Sequence, residues 1–234
     1  MDYHYLHFDE IDSTNNYLKN SYKLLNNFTF VSADYQSAGK GRNDRIWFSS
    51  PGENLMFSLL IKDENLLKKF SSLSIISAAI IAELIESLEI KDVSIKWPND
   101  VFIRDKKVCG ILLEGQILEY LVIGVGLNIN QKTFPNGLRK PATSLSLELK
   151  EDIDINRIKE RLFEQMTKEL SALNSHKYLE YFKNHNYLEN KRVRALVNNQ
   201  PFIGEVVGID DNFFLQIKIG DMLLHIDSGE LEVL

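Results

Sequence analysis

From Leu67 to Leu88 apolar residues recur at helical spacing with no glycine or proline among them, and this segment constrains the fold more than any other. A helix of that composition must be covered by other apolar surface. The flanking segments supply it. Asn54 to Ile61 reads as a strand before the helix, and Val93 to Trp97, Val101 to Arg104, Val108 to Glu114 and Tyr120 to Asn128 read as extended pieces after it, divided by short turns such as Arg104-Asp105-Lys106. These pieces predict a mixed sheet with helices packed on it. A membrane helix is not expected, because Ser77, Glu83 and Glu86 interrupt the stretch from Ile75 to Leu88 and no apolar run reaches the ~20 residues a bilayer requires.

Upstream, Tyr5 to Phe8 reads as a short strand. Asp12-Ser13-Thr14-Asn15 has the residue types favoured at a helix start, which predicts a helix running toward Leu25. Phe28 to Tyr35 looks extended, and the polar stretch from Gln36 to Gly52, with three glycines, reads as a long functional loop. Downstream, Ile155 to Leu173 and Tyr178 to Tyr187 are expected as helices. From Arg192 the period changes to short alternating strands, with turns at Asn198-Asn199, Asp210-Asp211-Asn212 and Ile219-Gly220-Asp221, the pattern of a small β-barrel. The expectation is therefore an α+β chain: a catalytic domain over residues 1–188, with a mixed sheet flanked by helices, and a small C-terminal β-barrel over 189–234.

Charge and cysteine content narrow the function. A net charge of −6 argues against a general nucleic-acid surface, which needs clustered Lys and Arg. One cysteine, Cys109, excludes an internal disulfide framework, and Met1-Asp2-Tyr3-His4-Tyr5 has neither the basic segment nor the apolar core of an export signal, so the expected location is the cytoplasm.

Four segments carry chemistry. Gln36 to Trp47 sets Lys40, Arg42 and Arg45 on a loop hinged by Gly39 and Gly41, which suits a polyphosphate as well as it suits a solvated surface loop. It is no Walker loop, because Gly41 follows Lys40 where Ser or Thr is needed. Gly124-Val125-Gly126 is no dinucleotide fingerprint, because Ile129 stands at the third glycine position. Lys96-Trp97-Pro98-Asn99-Asp100 joins a strand-end lysine to a proline-fixed turn bearing an amide and a carboxylate. Asp100 is suited to hold magnesium and Asn99 and Lys96 to contact a nucleotide, with Trp97 packing, although an ordinary turn uses the same residues. In the third segment Lys107 opens an apolar strand where it can meet a carboxylate, and Gly110 leaves room for a ligand. The fourth ends a glycine-bearing strand at Asn128, whose amide can read a nucleotide.

In order and approximate spacing these four segments resemble the biotin protein ligase family, and the resemblance covers most of the chain. Asp12-Ser13-Thr14-Asn15 is similar to the family's first biotin-contacting turn, and Lys96-Trp97-Pro98-Asn99-Asp100 matches its most diagnostic motif. The resemblance implies a class II aminoacyl-tRNA synthetase-like catalytic fold, a C-terminal SH3-like domain, and an enzyme that joins biotin to ATP and passes it to a lysine of a biotin carboxyl carrier domain. It implies biotin contacts from Ser13, Thr14, Asn15, Gln36, Gly39, Lys40, Gly41, Arg42, Lys107 and Gly110. It implies nucleotide contacts from Arg42, Arg45, Trp47, Lys96, Asn99, Asp100 and Asn128, catalytic roles for Lys107, Lys96 and Arg42, and magnesium at Asp100. Lys40 stands where many members carry arginine, keeping the charge but not the fork. Since these motifs begin by residue 12, the short form without a DNA-binding domain is expected, with no DNA partner; the family also allows a homodimer through a sheet edge.

Such chemistry brings biotin's carboxylate to the α-phosphate of ATP. Lys107, Lys96, Arg42 and Arg45 are expected to screen the two anions, and Ser13, Thr14 and Gln36 to bond the ureido head. The loop from Gly39 to Trp47 is the natural lid over the reactive adenylate. His4, His7, His176, His185 and His225 show no metal-ligand spacing, and Cys109 reads as a packing residue. A lipoate or octanoate ligase is the nearest rival, and a noncatalytic biotin sensor a rival of another class.

Overall fold

A computed structural model describes residues 3–43, 45–138, 140–197 and 200–234, with the side chain of Val197 outside that description. The Met1-Asp2 start, Asp44 in the glycine-hinged loop and the Asn198-Asn199 turn fall outside these residues. The elements run β1 (His4–Ile11), α1 (Thr14–Ser21), β2 (Thr29–Gln36), β3 (Asn54–Ile61), α2 (Glu64–Leu67), α3 (Phe70–Glu86), β4 (Val93–Lys96), β5 (Asp100–Ile103), β6 (Lys106–Gln116), β7 (Tyr120–Asn128), α4 (Leu145–Leu149), α5 (Ile155–Ser171) and α6 (Ser175–Asn184). Five further strands close the chain: β8 (Arg192–Val197), β9 (Gln200–Ile209), β10 (Leu215–Ile219), β11 (Met222–Ile226) and β12 (Glu230–Val233).

The first seven strands form one sheet in the order β1-β2-β3-β7-β6-β5-β4, with β1 parallel to β2 and every other pair antiparallel. The last five form an antiparallel sheet in the order β11-β10-β9-β8-β12. The expected mixed sheet and C-terminal all-β unit are both present. No described helix is long and apolar enough to cross a membrane.

β3 is buried along its whole length, so both faces of the large sheet are covered there. Leu55, Phe57, Leu59 and Ile61 turn toward α3 and α5 in the main core, whereas Leu60 joins Leu18 of α1, Val31 and Val122 in a smaller cluster on the opposite face. Phe163 of α5 is the keystone of the first face. Its ring stacks on Phe30 at 4.1 Å and meets Phe57 and Tyr3 edge-on at 4.9 and 5.9 Å. Phe163→Ala should lower unfolding free energy by about 3–5 kcal/mol, read from urea denaturation; a loss below ~1 kcal/mol would mean that the cavity collapses freely.

Three expectations change in detail. α1 stops at Ser21 rather than near Leu25, because the next residues tighten into turns and the Lys62 ammonium takes the carbonyls of Tyr22 and Leu25 at 3.3 and 3.0 Å. The helix expected over 67–88 is α3, which starts at Phe70 and ends at Glu86: Leu67 instead closes the single turn of α2, capped by Asp63, and Lys68 and Lys69 between the two stay exposed while Leu66, Leu67 and Leu73 turn inward. α4 has no counterpart in the sequence reading; Ser144 caps it by accepting from Leu147 N at 3.3 Å.

The two sheets share apolar contacts. Val193, Val206, Phe213 and Leu215 belong to the same core as Trp97, whose indole N–H donates to the Phe213 carbonyl at 3.1 Å. The tryptophan of the Lys96 to Asp100 motif is thus a buried packing residue, as its place after a strand predicts.

Candidate active site

The site lies on the α1 face of the large sheet, and glycine is what opens it. Gly110 of β6 stands opposite Gly126 of β7, and Gly124 is one pleat further along the same face. Nearby side chains occupy the space that their Cβ atoms would take: Asn15 over Gly124, the Trp47 indole over Gly126, and both Trp47 Cζ3 and Lys107 Nζ, at 2.9 Å, over Gly110. The result is a trough in the sheet floor.

The near end of the trough is polar. Ser13 caps α1 and holds Thr14 and Asn15 buried against the sheet. The Thr14 N–H donates to Gln36 Oε1 at 2.7 Å, and the Thr14 hydroxyl lies 3.0 Å from that oxygen and 2.7 Å from the Ser58 hydroxyl. Asn15 accepts from Ser58 at 2.5 Å and donates to Glu114 at 2.7 Å.

The loop expected as a lid crosses the trough as an irregular hairpin. Gly41 N donates to Arg45 O at 2.7 Å and Trp47 N to Gly39 O at 3.0 Å, and Lys40 pairs with Ile46 in an isolated bridge while its side chain stays exposed. Lys40 also lines the narrower of two cavities in the site. Arg42 is half-buried and donates to Asn99 Oδ1 at 3.2 Å and to the Gly229 carbonyl at 3.1 Å; Arg45 and Asn43 both engage the Glu230 carboxylate. Burial pushes the Arg42 guanidinium below its ordinary pKa, with Asp100 and Glu230 pulling it back up. It remains a cation at any ordinary pH.

Asn99 is itself fixed, since its backbone carbonyl and side-chain amide hold Ile111 N and Ile111 O, each at 2.9 Å. It follows the cis Trp97–Pro98 bond. Lys96 donates to the Leu231 carbonyl at 3.4 Å, so the C-terminal sheet touches the loop and the diagnostic motif alike. Lys107 sits where everything meets: its ammonium lies 2.7 Å from Asp100 Oδ1 and 5.4 Å from the centre of the Trp47 ring. Its backbone is clamped by Lys107 N to Pro141 O at 2.8 Å and Thr143 N to Lys107 O at 2.9 Å.

Two cavities meet at this point. The narrower runs along the trough between Thr14, Gln36 and the three glycines; the larger, about 260 Å³, opens between Lys96, Asn128, Phe134 and Glu230. Gly41, Arg42, Trp47, Asn99 and Lys107 are walls of both. In the larger cavity the buried Asn128 donates to the Thr143 carbonyl at 3.0 Å, while its Oδ1 and the Trp47 indole nitrogen are buried with no hydrogen-bond partner among the described residues. Both are available to a ligand.

A match to the biotin/lipoate A/B protein ligase family spans residues 7–128, and one to the biotin protein ligase C-terminal domain spans 190–234. The chain belongs to that ligase family. Among relatives, the bifunctional ligase/repressor BirA of Bacillus spizizenii is 32% identical over all of this chain and 75% of its own length. The biotin–[acetyl-CoA-carboxylase] ligase of Mycobacterium tuberculosis is 28% identical over 85% of this chain and 76% of its own. A biotin protein ligase from Aquifex aeolicus, solved with biotin and ATP, superposes with a TM-score of 0.83 at 28% identity over 98% of both chains.

The fold brings every site residue singled out in the sequence to the walls of these two cavities or to the loop between them. It also adds residues that the sequence reading does not single out: Ser58, Glu114, Gly124, Gly126 and, from the far end of the chain, Gly229 and Glu230. The glycines have a signal, two in one strand at a spacing of two, which the sequence reading weighs only as a nucleotide fingerprint. The histidines bring one surprise. His7, Asp9 and Asp34 gather on an exposed surface with ligand atoms within 4.8 Å of one another, but His7 is already engaged by Ser32 at 2.9 Å and Asp34 at 3.5 Å. Cys109 is wholly buried and burial pushes its thiol up, so it stays protonated and inert, as its strand position predicts.

Proposed function

We propose that the trough binds biotin, that the larger cavity binds ATP, and that the chain forms biotinyl-adenylate and passes biotin to a lysine of a carrier domain. The observation that carries this reading is the shared wall: a ligand in each cavity places its reacting end against Lys107 and Arg42. Thr14 and Gln36 hold the ureido head at the polar end of the trough, so the valeryl tail runs along it beside Trp47 toward Lys107. The glycines let the Asn15 amide and the Trp47 indole seat directly against the sheet, which leaves the space beside them to the tail.

Lys107 is paired with Asp100 before substrate arrives. An incoming carboxylate competes for the ammonium, and its transfer from Asp100 to biotin would free Asp100 at the edge of the larger cavity. A single carboxylate is enough for a magnesium ion that arrives already coordinated by phosphate oxygens, so the residues present fit the metal the family implies. Bound there, magnesium supplies further screening of the phosphates. Arg42 then faces the α-phosphate from the loop and Lys96 from the strand end, so that the two anions meet among fixed cations rather than in water. The buried Asn128 Oδ1 in the larger cavity supports an adenine there, whose amino group would donate to it. We place the boundary between catalytic and C-terminal domains at 188/189, with Glu230 and Gly229 of the second holding the loop of the first.

Magnesium-dependent pyrophosphate release, measured separately with biotin and with lipoate, tests the reading. Release with biotin and not lipoate is expected; the reverse preference would assign the trough to the other acid.

A further inference from the structure

The polar end of the trough is the start of a chain of hydrogen bonds that ends at a salt-bridged carboxylate outside it. Glu114 receives the Lys19 ammonium on one oxygen and the Asn15 amide N–H on the other at 2.7 Å. A carboxylate only accepts, so Asn15 must turn its NH2 toward Glu114 and its oxygen toward Ser58. The Ser58 proton therefore goes to Asn15 Oδ1, at 2.5 Å. Having spent its proton there, Ser58 can only accept from the Thr14 hydroxyl 2.7 Å away. The directions follow from the network as a whole.

The consequence appears at the cavity. The Thr14 hydroxyl then lies between two acceptors, Ser58 at 2.7 Å and Gln36 Oε1 at 3.0 Å, so its proton stays within the protein and its lone pairs face a ligand. Gln36 has its oxygen held by Thr14 N at 2.7 Å, which leaves the NH2 end of its amide as the donor. One fixed acceptor beside one fixed donor is the complement of a ring that offers N–H next to C=O.

We infer that Glu114, held by Lys19, is a positioning residue that sets the hydrogen-bond polarity of the trough, and through it the preference for a ureido N–H over an isosteric acceptor. The inference rests on the biotin reading. It also explains why Gly124 is glycine, since any Cβ there would displace the Asn15 amide that relays the polarity.

Glu114→Gln separates polarity from shape. In that variant Lys19 draws the new amide oxygen, its NH2 faces Asn15, and the relay runs backwards: Asn15 turns over, Ser58 donates to Thr14 and takes up a lone pair there, and the Thr14 proton is left to Gln36 Oε1 or the trough, so Thr14 is a poorer acceptor for a ligand N–H. Adding Lys19→Met removes that draw, so the new amide at position 114 can turn its oxygen back to Asn15. The experiment compares pyrophosphate release for wild type, Glu114→Gln, Lys19→Met and the double variant. The acids are biotin and an analogue in which one ureido ring N–H is replaced by oxygen.

For Glu114→Gln, KM for biotin should rise about tenfold, with kcat and KM for ATP within about twofold, and the preference for biotin over the oxygen analogue should fall by a similar factor. The double variant should recover most of that preference. Unchanged selectivity in Glu114→Gln, or a double variant no better than it, overturns the relay. A parallel fall in kcat and in affinity for both substrates would reduce Glu114 to a structural role and overturn it too. If wild type releases no pyrophosphate with biotin, the substrate reading itself fails, an outcome seen before any variant is made.

Discussion

Lys107→Ala should lower biotinyl-adenylate formation by about a hundred- to a thousandfold while leaving the protein folded, because it removes a preorganised cation from the point where two anions must meet. The geometry makes this residue unlike the other cations of the site. Arg42 and Lys96 both reach carbonyls of the C-terminal sheet region, whereas Lys107 is held from below by its own strand and projects between Asp100 and the Trp47 ring. The strand does not depend on the side chain: the backbone bonds to Pro141 and Thr143 remain. Loss of the partly exposed pair with Asp100 should cost about 1 kcal/mol or less. Pyrophosphate release and a thermal melt on the same preparation check both halves. A variant within threefold of wild type would remove Lys107 from the reaction.

Gly126→Ala should be nearly as damaging for a different reason. A methyl group on Gly126 would collide with the Trp47 indole, and the facing strand offers no relief, since the space above Gly110 is filled by Trp47 and Lys107 at 2.9 Å. The indole must leave its seat, taking with it the wall common to both cavities. A displacement of about an ångström at the reacting end is worth about a hundredfold in kcat/KM. The chain has two tryptophans, and Trp97 is buried with its N–H bonded, so a red shift of emission in the variant reports Trp47. Normal activity with Trp47 still shielded would show that the sheet absorbs the methyl group.

Much of this site was legible in the sequence because its chemistry is local. Asp12 to Asn15 reads as a helix start and Ser13 is the cap; Lys96 to Asp100 reads as a strand end and a turn, and both are present. The loop over Gln36 to Gly52 reads as irregular because its glycines and charges have no period, and apart from the end of β2 its described residues form no helix or named strand. What stayed hidden depends on pairing. Glu114 looks like the last residue of an apolar strand until Lys19 and Asn15 are brought to it across 95 and 99 positions of chain. Glu230 lies 185 positions from Arg45, and no spacing rule connects them. Gly124 and Gly126 carry no side chain to read; only the register with Gly110 turns them into a floor. The start of α3 reads three residues early for the opposite reason, because helical spacing runs on through Lys68 and Lys69 into the last residue of α2.

The measurement that tests the account most directly is the intact mass of a purified biotin carboxyl carrier domain after incubation with the protein, biotin, ATP and magnesium. The account predicts a gain equal to one biotin less water, dependent on ATP. A carrier whose mass does not change with biotin, yet a lipoyl carrier that gains lipoate under the same conditions, would contradict it.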